Sequence, residues 1–498
     1  MKAKPTHILV NNLLAMSAVT LQLWTQSAHA EIELIARGQI SGTYTDMASE
    51  TATTLESSVV GNRLGGLGSG LAYAGGTTFL ALPDRGPNAT TYNTAVDNTT
   101  SFIPRFHTLT LNLAPSESDA ALPFVLTPML HDTTLLSSYL PLYYSNGAAY
   151  GLPSGVPALN ALDRTYYFTG RSDNFDAGKN SLNSNNARLD PEGIRVSNDG
   201  DSIYITDEYG PYVYQFDRNS GRRTRVYKLP EIFAATKLSA VGDTEISGNT
   251  VGRVANKGME GLAITPDGRY LLGAMQSPLL QDGGTSAPYT RLVKIDTYTG
   301  NVQQYAYELT NIGTAAKPKY GTISEVLAIN NTDFLVDERD GKGLGDNSDA
   351  AFKKLFRISL NGATEVSSVI GSANLVGKAV SKTLFLDLVS TLSTYGYAAK
   401  DIPAKIEGIA FGQDVTVGTQ TRHTLFIAND NDFLSTITDS NHAEGIDNPN
   451  QFFVFAFDDN ELPGLVKQRI KTDSRGNDDD HHGRRQDNGW LLNWLFGR

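Results

Sequence analysis

Four glutamates in this sequence stand at the head of short apolar runs: Glu192 in EGIRV, Glu260 in EGLAI, Glu325 in SEVLAI and Glu407 in EGIAF. Acids also close the strand-like stretches that follow, as Asp207 and Glu208 in YITDE, Asp337 and Glu338 in FLVDERD and Asp430 in LFIANDND; Asp84 in LALPDRGP ends an earlier, related stretch led by Ser69. In an antiparallel hairpin the first residue of one strand and the last of the next lie at the same end. Repetition therefore predicts a ring of carboxylates at one rim of the fold, and such a concentration of anions repels itself unless cations lie within it. The chain has no cysteine, and between its two ends it has only His107, His131, His423 and His442. A soft, zinc-type site is thus poorly supplied, and clustered carboxylate oxygens point to calcium. Glu192, Glu260 and Glu407 are the expected catalytic carboxylates; the metal set adds Asp84, Asp207, Glu208, Glu325, Asp337, Glu338 and Asp430.

Basic residues accompany the acids. Arg188, Lys257 and Lys405 lie just upstream of the Glu-Gly pairs, and Arg85 and Arg339 follow strand-end acids. Cations interleaved with metal-binding carboxylates suit a phosphate ester as substrate; rim salt bridges are the alternative reading of the same residues. Serine-nucleophile spacing of the Gly-x-Ser-x-Gly kind is absent around Ser69, so a metal-activated water is the expected nucleophile.

The elements that must position these residues are hairpins. Each copy is a short alternating strand, a turn such as SNDG or TPDG, and a second strand rich in β-branched and aromatic residues. Further strand pairs follow in YVYQFDRNSGRRTRVYKLP, TRLVKIDTYTGNVQQYAYEL and KKLFRISLNGATEVSSVI. Four antiparallel strands recurring about every 65 to 80 residues predict an all-β fold, a β-propeller with loop insertions. Five blade starts are visible, and the reading is six blades. The sixth is sought in Ala114–Asn186 or in a pairing of Glu31–Tyr44 with the C-terminal FFVFAFD, which would close the ring. The polar stretch Asp173–Asn186 reads as a surface loop, and KTLFLDLVSTL from Lys382 has helical spacing.

The 498 residues, with 47 glycines, 22 tyrosines and a net charge of −12, are enough for a sizeable core. The acidic balance argues against a nucleic-acid partner, which needs clustered Lys and Arg. Residues 1–30 carry Lys2 and Lys4, an apolar run and Ala28-His29-Ala30. They read as a signal peptide cleaved before Glu31, which makes the protein periplasmic or secreted. No later segment is long and apolar enough to span a bilayer. Residues 31–470 form the expected propeller domain of a monomer. Residues 471–498 form a solvated tail, in which Asp478–Asp480 with His481 and His482 is a weak metal tract and WLLNWLF an amphipathic end.

PDRGPN, LDPEGIRVSNDGDSIYITDEYGP, NKGMEGLAITPDGRYLLGAMQSPL, FLVDERDGKG and KIEGIAFG with LFIANDND carry a resemblance to the phytase-like family, described by esterase-like activity, and more distantly to calcium-dependent β-propeller phytases. The resemblance implies a calcium-bridged phosphate site in which metal-bound water attacks a phosphomonoester, with Glu192, Asp207 and Glu208 matching the ligand pattern. Met275 and Gln276 stand where that pattern has acids, and Ser69 replaces a glutamate. Two other functions share the pattern: a calcium-dependent esterase or lactonase of the gluconolactonase or paraoxonase type, and a non-catalytic binding propeller.

Overall fold

A computed structural model describes residues 32–145, 147–160 and 164–471; the expected signal peptide and nearly all of the expected tail lie outside them. Strands formed by the repeated hairpins assemble into five antiparallel sheets. Blade 1 contains Gly70–Gly75, Thr78–Leu82, Arg105–Pro115 and Phe124–Leu135, and blade 2 is built on Pro191–Val196, Ser202–Asp207, Tyr212–Asp217 and Arg222–Lys228. Blade 3 comprises Met259–Ile264, Tyr270–Met275, Tyr289–Asp296 and Val302–Glu308; blade 4 comprises Thr322–Ala328, Asp333–Arg339, Lys353–Ser359 and Lys382–Asp387. Blade 5 takes Lys405–Phe411, Gln420–Asp430 and Asn450–Phe457 from the C-terminal part of the chain and Glu33–Ile40 from the N-terminal part.

The propeller therefore has five blades among the described residues, against the six read from the sequence. Pairing of the N-terminal strand with FFVFAFD is present, with Arg37 opposite Phe453 and Gln39 opposite Gln451. It completes the fifth blade and adds no sixth. Ala114–Asn186 yields the outer strand of blade 1 and two short strands, Ser137–Ser138 and Tyr166–Tyr167, on the outer edge of blade 2. Five blade starts were visible because five exist.

Two segments depart from their sequence reading. Lys382–Asp387 is a strand, paired with Lys354–Ile358, and the helix begins only at Leu388. An open sheet edge outweighs the local spacing, and Asp387 caps the helix by accepting from the Ser390 N–H at 3.1 Å. The sequence after Lys353–Ser359 supplies no strand directly; Val366 instead donates to the Gln304 carbonyl of blade 3. Asp173–Asn186, read as a surface loop, is irregular but half-interior, with Asp173, Asn174 and Ser181 buried and hydrogen-bonded to Arg171, Thr169 and Ala235 respectively.

Apolar residues pack between blades, since each sheet presents a face to both neighbours. Leu80 and Phe106 meet Ile194 and Tyr214 between blades 1 and 2, and Leu272 and Tyr305 meet Val326 and Phe334 between blades 3 and 4. Near the axis the inner strands approach too closely for side chains. A Cβ on Gly193 would lie 2.8 Å from the Leu262 backbone nitrogen, and one on Gly261 would lie 2.7 Å from that of Val326. This close approach is the reason for the glycine in the repeated Glu-Gly pair. No helix among the described residues is long and apolar enough to cross a membrane.

Candidate functional site at one mouth of the channel

The repeated glutamates owe their direction to β-bulges. Met259 pairs with Met275 and Gly261 with Ala274, which leaves Glu260 as the extra residue; Glu407 is the extra residue between Ile406 and Gly408. A bulge also spans Glu192, between Pro191 and Ile194. Bulges re-aim the side chain they carry, and here they turn all three carboxylates into one cavity of about 290 Å³. Asp84, Glu208 and Asp430, at the ends of the second strands, line it too.

In blade 4 the bulged residue is Ser324, because Ile323 pairs with Glu338 and Glu325 with Asp337. The expected in-register position of Glu325 is thus corrected: Ser324 occupies the rim place, and Glu325 takes the place of the axial glycines one step deeper. There Glu325 lies 3.0 Å from the Arg195 guanidinium and accepts from the backbone N–H of Leu262 at 2.8 Å and of Val326 at 2.9 Å. Arg195 donates to the carbonyls of Leu71, Ile194, Val326 and Ile409. This buried pair touches all five blades on the axis.

Three further acids stand away from the cavity. Asp207 accepts from the backbone of Asp190 and Tyr209, holding the turn after its strand. Glu338 faces outward, where it binds the Tyr307 hydroxyl at 2.9 Å and the Lys382 ammonium at 2.7 Å. Asp337 is fully buried between strands, with neither carboxylate oxygen hydrogen-bonded, and burial pushes its carboxyl well up.

Four of the five expected cations line the cavity: Arg85, Lys257, Arg339 and Lys405. Arg85 donates to Asp190 at 2.8 Å and Asn256 at 2.7 Å; Lys405 is bound to Asp430 at 2.9 Å and to Asp432; Arg339 is bound to Glu407 and, at 2.7 Å, to Ser324. Lys257 alone of the four has no carboxylate salt bridge among the described residues, and it donates to Gln276 Oε1 at 3.1 Å. Gln276 in turn donates to Glu260 Oε1 at 2.7 Å. Arg188 is the exception. It is 3% exposed, bound to Glu245 at 3.2 Å and sandwiched between Phe175 and Tyr209. Glu245 comes from Gly242–Gly248, a short helix that the sequence reading did not foresee.

Carboxylate oxygens crowd the mouth in two overlapping groups. One oxygen each of Glu192, Glu208 and Glu260 lie within 4.8 Å of one another, as do those of Asp84, Asp190 and Glu192. Burial and then the neighbouring acids push Glu192 and Glu260 well up; burial likewise pushes Glu407 up to about 7 despite Arg339. Glu260 Oε2 is buried without a hydrogen-bond partner. An oxygen-only donor set with an orphaned carboxylate oxygen fits a hard divalent cation such as calcium, with Glu192 common to both groups. Asp190 and Asn256 were missed from the sequence, although Asp190 stands two places before Glu192 in LDPEG and could have been found there.

Comparisons with known proteins find relatives in sequence and similar chains among solved structures. An uncharacterized secreted protein of Arthroderma benhamiae is 31% identical over 326 residues, spanning 56% of this chain and 60% of that protein's length. The periplasmic gluconolactonase of Pseudomonas aeruginosa superposes with a TM-score of 0.31 at 10% identity, over 86% of this chain and 99% of its own. A gluconolactonase of Xanthomonas campestris gives 0.28 at 12%, over 86% and 98%. Residues 62–433 match the phytase-like family, described as "esterase-like activity of phytase", and the chain belongs to that family.

Proposed function

We propose that this chain is an exported, calcium-dependent hydrolase of phosphate esters that works at the carboxylate-lined mouth. The observation that carries the reading is Glu192, shared by two groups of converging carboxylates in a cavity that also holds the Lys257 ammonium. Calcium bound there supplies positive charge that neutralises a phosphate dianion and polarises its oxygens. Glu192, Glu208 and Glu260 would hold one ion, and Asp84, Asp190 and Glu192 a second. Lys257, steadied by Gln276, grips a phosphate oxygen, while Arg339 and Lys405 keep Glu407 and Asp430 in place. Arg195 closes the floor of the cavity and keeps bulk water from entering from below. Export rests on the character of residues 1–30, and residues 31–470 are the working domain.

One observation favours a second reading, a carboxylic ester or lactone as substrate. Arg85, Arg339 and Lys405 are each committed to a carboxylate, so the cavity offers fewer free cations than the sequence promised. The family's description by esterase-like activity points the same way. Titration calorimetry with calcium and a panel of phosphomonoesters and lactones decides between them. Glu192→Gln keeps the shape of the side chain and removes its charge. It is expected to weaken calcium binding and phosphomonoester hydrolysis together, and calcium binding equal to that of the parent would refute the shared-ligand role.

A further inference from the structure

A second cavity of about 430 Å³ adjoins the mouth and shares Arg85 and Asn256 with it. Its size lies in the range of small-molecule sites, about 300–1,000 Å³. The hydrogen bond from Arg85 to Asn256 Oδ1, 2.7 Å long, belongs to the wall common to both cavities. Asn256 holds its place there at φ +55°, a left-handed conformation that asparagine tolerates better than most residues. Beyond this wall the cavity is lined by short polar side chains, among them Asn88, Asn98, Asp97 and Ser172, and by Tyr209.

Three guanidiniums border the cavity, yet their charge is spent. Arg188 and Arg253 both bind Glu245, at 3.2 and 2.7 Å, and Arg253 also donates to the Tyr209 carbonyl. Arg85 is held by Asp190. Asp97 and Asp243 add negative charge to the lining. No surplus cation remains for an anion, because a dianionic phosphate needs donors not already neutralised. What the cavity does offer is a mixture of amide donors and acceptors beside an aromatic ring. Asn88 and Asn98 are exposed, and neither side chain is hydrogen-bonded to another described residue. Such a mixture matches hydroxyl groups, each of which donates and accepts.

Building on the phosphate-ester reading, we propose that this side cavity is the subsite for the alcohol portion of the substrate, and that it takes an uncharged, hydroxyl-bearing group such as a sugar. The substrate is then a sugar phosphate with a single phosphate in the mouth and its ring across the Arg85–Asn256 wall. A bisphosphate fits less well, since its second phosphate would meet Asp97, Asp243 and already paired arginines.

The test is calorimetry on the full calcium-loaded chain with inorganic phosphate, glucose 6-phosphate, glucose 1,6-bisphosphate and glucose. Glucose 6-phosphate is expected to bind about tenfold more tightly than inorganic phosphate and more tightly than the bisphosphate. Asn98→Trp, which fills the cavity from an exposed, unpartnered position, should abolish that advantage and leave inorganic phosphate unchanged. The double variant Asn88→Ala/Asn98→Ala should reduce the advantage without blocking the cavity. Tighter binding of the bisphosphate, or an advantage untouched by Asn98→Trp, would overturn the proposal. Should neither inorganic phosphate nor glucose 6-phosphate bind, the mouth reading falls, and glucose alone decides the side cavity. Glucose binding that Asn98→Trp removes upholds it, and absence of glucose binding overturns it.

Discussion

The two mouths of the channel are made by the same inner strands and differ in almost everything else. Each of three strands carries a carboxylate near its start and ends four residues later at an apolar side chain: Glu192 to Val196, Glu260 to Ile264, Glu407 to Phe411. At the first mouth the strands are bulged, and hydrogen-bonding capacity is left over, on Glu260 Oε2. At the second the ladders of these three strands are regular, and Leu71, Ile264, Leu327 and Phe411 surround a small cavity of about 50 Å³. A strap after blade 5 crosses that end. Val466 donates to the Ile329 carbonyl at 2.8 Å, Lys467 to that of Gly412 at 2.7 Å and Gln468 to that of Val196 at 2.8 Å. Apolar packing and a hydrogen-bonded strap therefore close one propeller end, and the unfinished polar chemistry at the other end is what the proposed ligand would satisfy.

The contrast can be broken most severely at the pair that divides the two mouths. Arg195→Met leaves Glu325 buried and unpaired, and losing one partner of a buried pair costs about 3–5 kcal/mol. A denaturation midpoint unchanged in this variant would show that the axis is held by the inner strands alone. The double change Arg195→Met/Glu325→Leu should recover much of the loss, as both charges then leave together.

Next in size is calcium. A ligand that binds only the native state at a hundredfold excess over its Kd adds about 2.7 kcal/mol, so a chelator should lower the melting temperature. The effect has a pH sign. The Glu407 carboxyl is raised from 4.5 to about 7, by burial that Arg339 only partly offsets. A raised carboxyl stabilises the native state in its neutral form, fully below about pH 4.5, and that contribution is lost as the pH rises through 7. Chelated protein should thus melt higher at pH 5 than at pH 8, and added calcium should narrow or reverse the difference. Equal melting at both pH values in chelator would count against the crowded acids at the mouth.

Much of this contrast was legible in the sequence. Glu192, Glu260 and Glu407 recur with glycine because the inner strands touch, and that steric need leaves a visible pair of letters. Glu325 misled because it heads a similar apolar run but lacks the glycine: a bulge one residue earlier places Ser324 at the rim and Glu325 where the others have glycine. Arg188 was assigned to the mouth from its distance to Glu192 along the chain, but Glu245, 57 residues away, captures it. Lys382–Asp387 looked helical for a related reason, since the sheet edge that claims it is formed by residues distant in sequence. Local pattern carried the strands and the repeat; long-range partners decided which charges were spent.

A finer probe is Lys257→Met. With the phosphate-ester reading it should raise KM and lower kcat/KM for phosphomonoesters tenfold to a hundredfold, equivalent to about 1.4–2.7 kcal/mol. Calcium affinity should hold or improve, because a nearby positive charge has gone. Lactone hydrolysis indifferent to the change, in a parent with no phosphatase activity, would transfer the site to the ester reading. The smallest effect belongs to the second mouth. Lys467→Ala removes a partly exposed pair with Asp414 and a carbonyl contact; its cost should be about 1 kcal/mol or less, with calcium binding intact. A loss of calcium affinity there would mean the two ends are coupled.

On the proposed function the Arg195–Glu325 pair would also govern traffic. With the axis sealed, the mouth cavity has no outlet through the channel, and on the proposed function a product would leave on the side from which substrate enters. With the phosphate-ester reading, release and entry would exclude each other, and free phosphate accumulating outside would compete for the same doorway. On the proposed function, turnover in such a vessel would follow the concentration of product in the surrounding medium, and the rate would depend on how quickly the surroundings carry that product away.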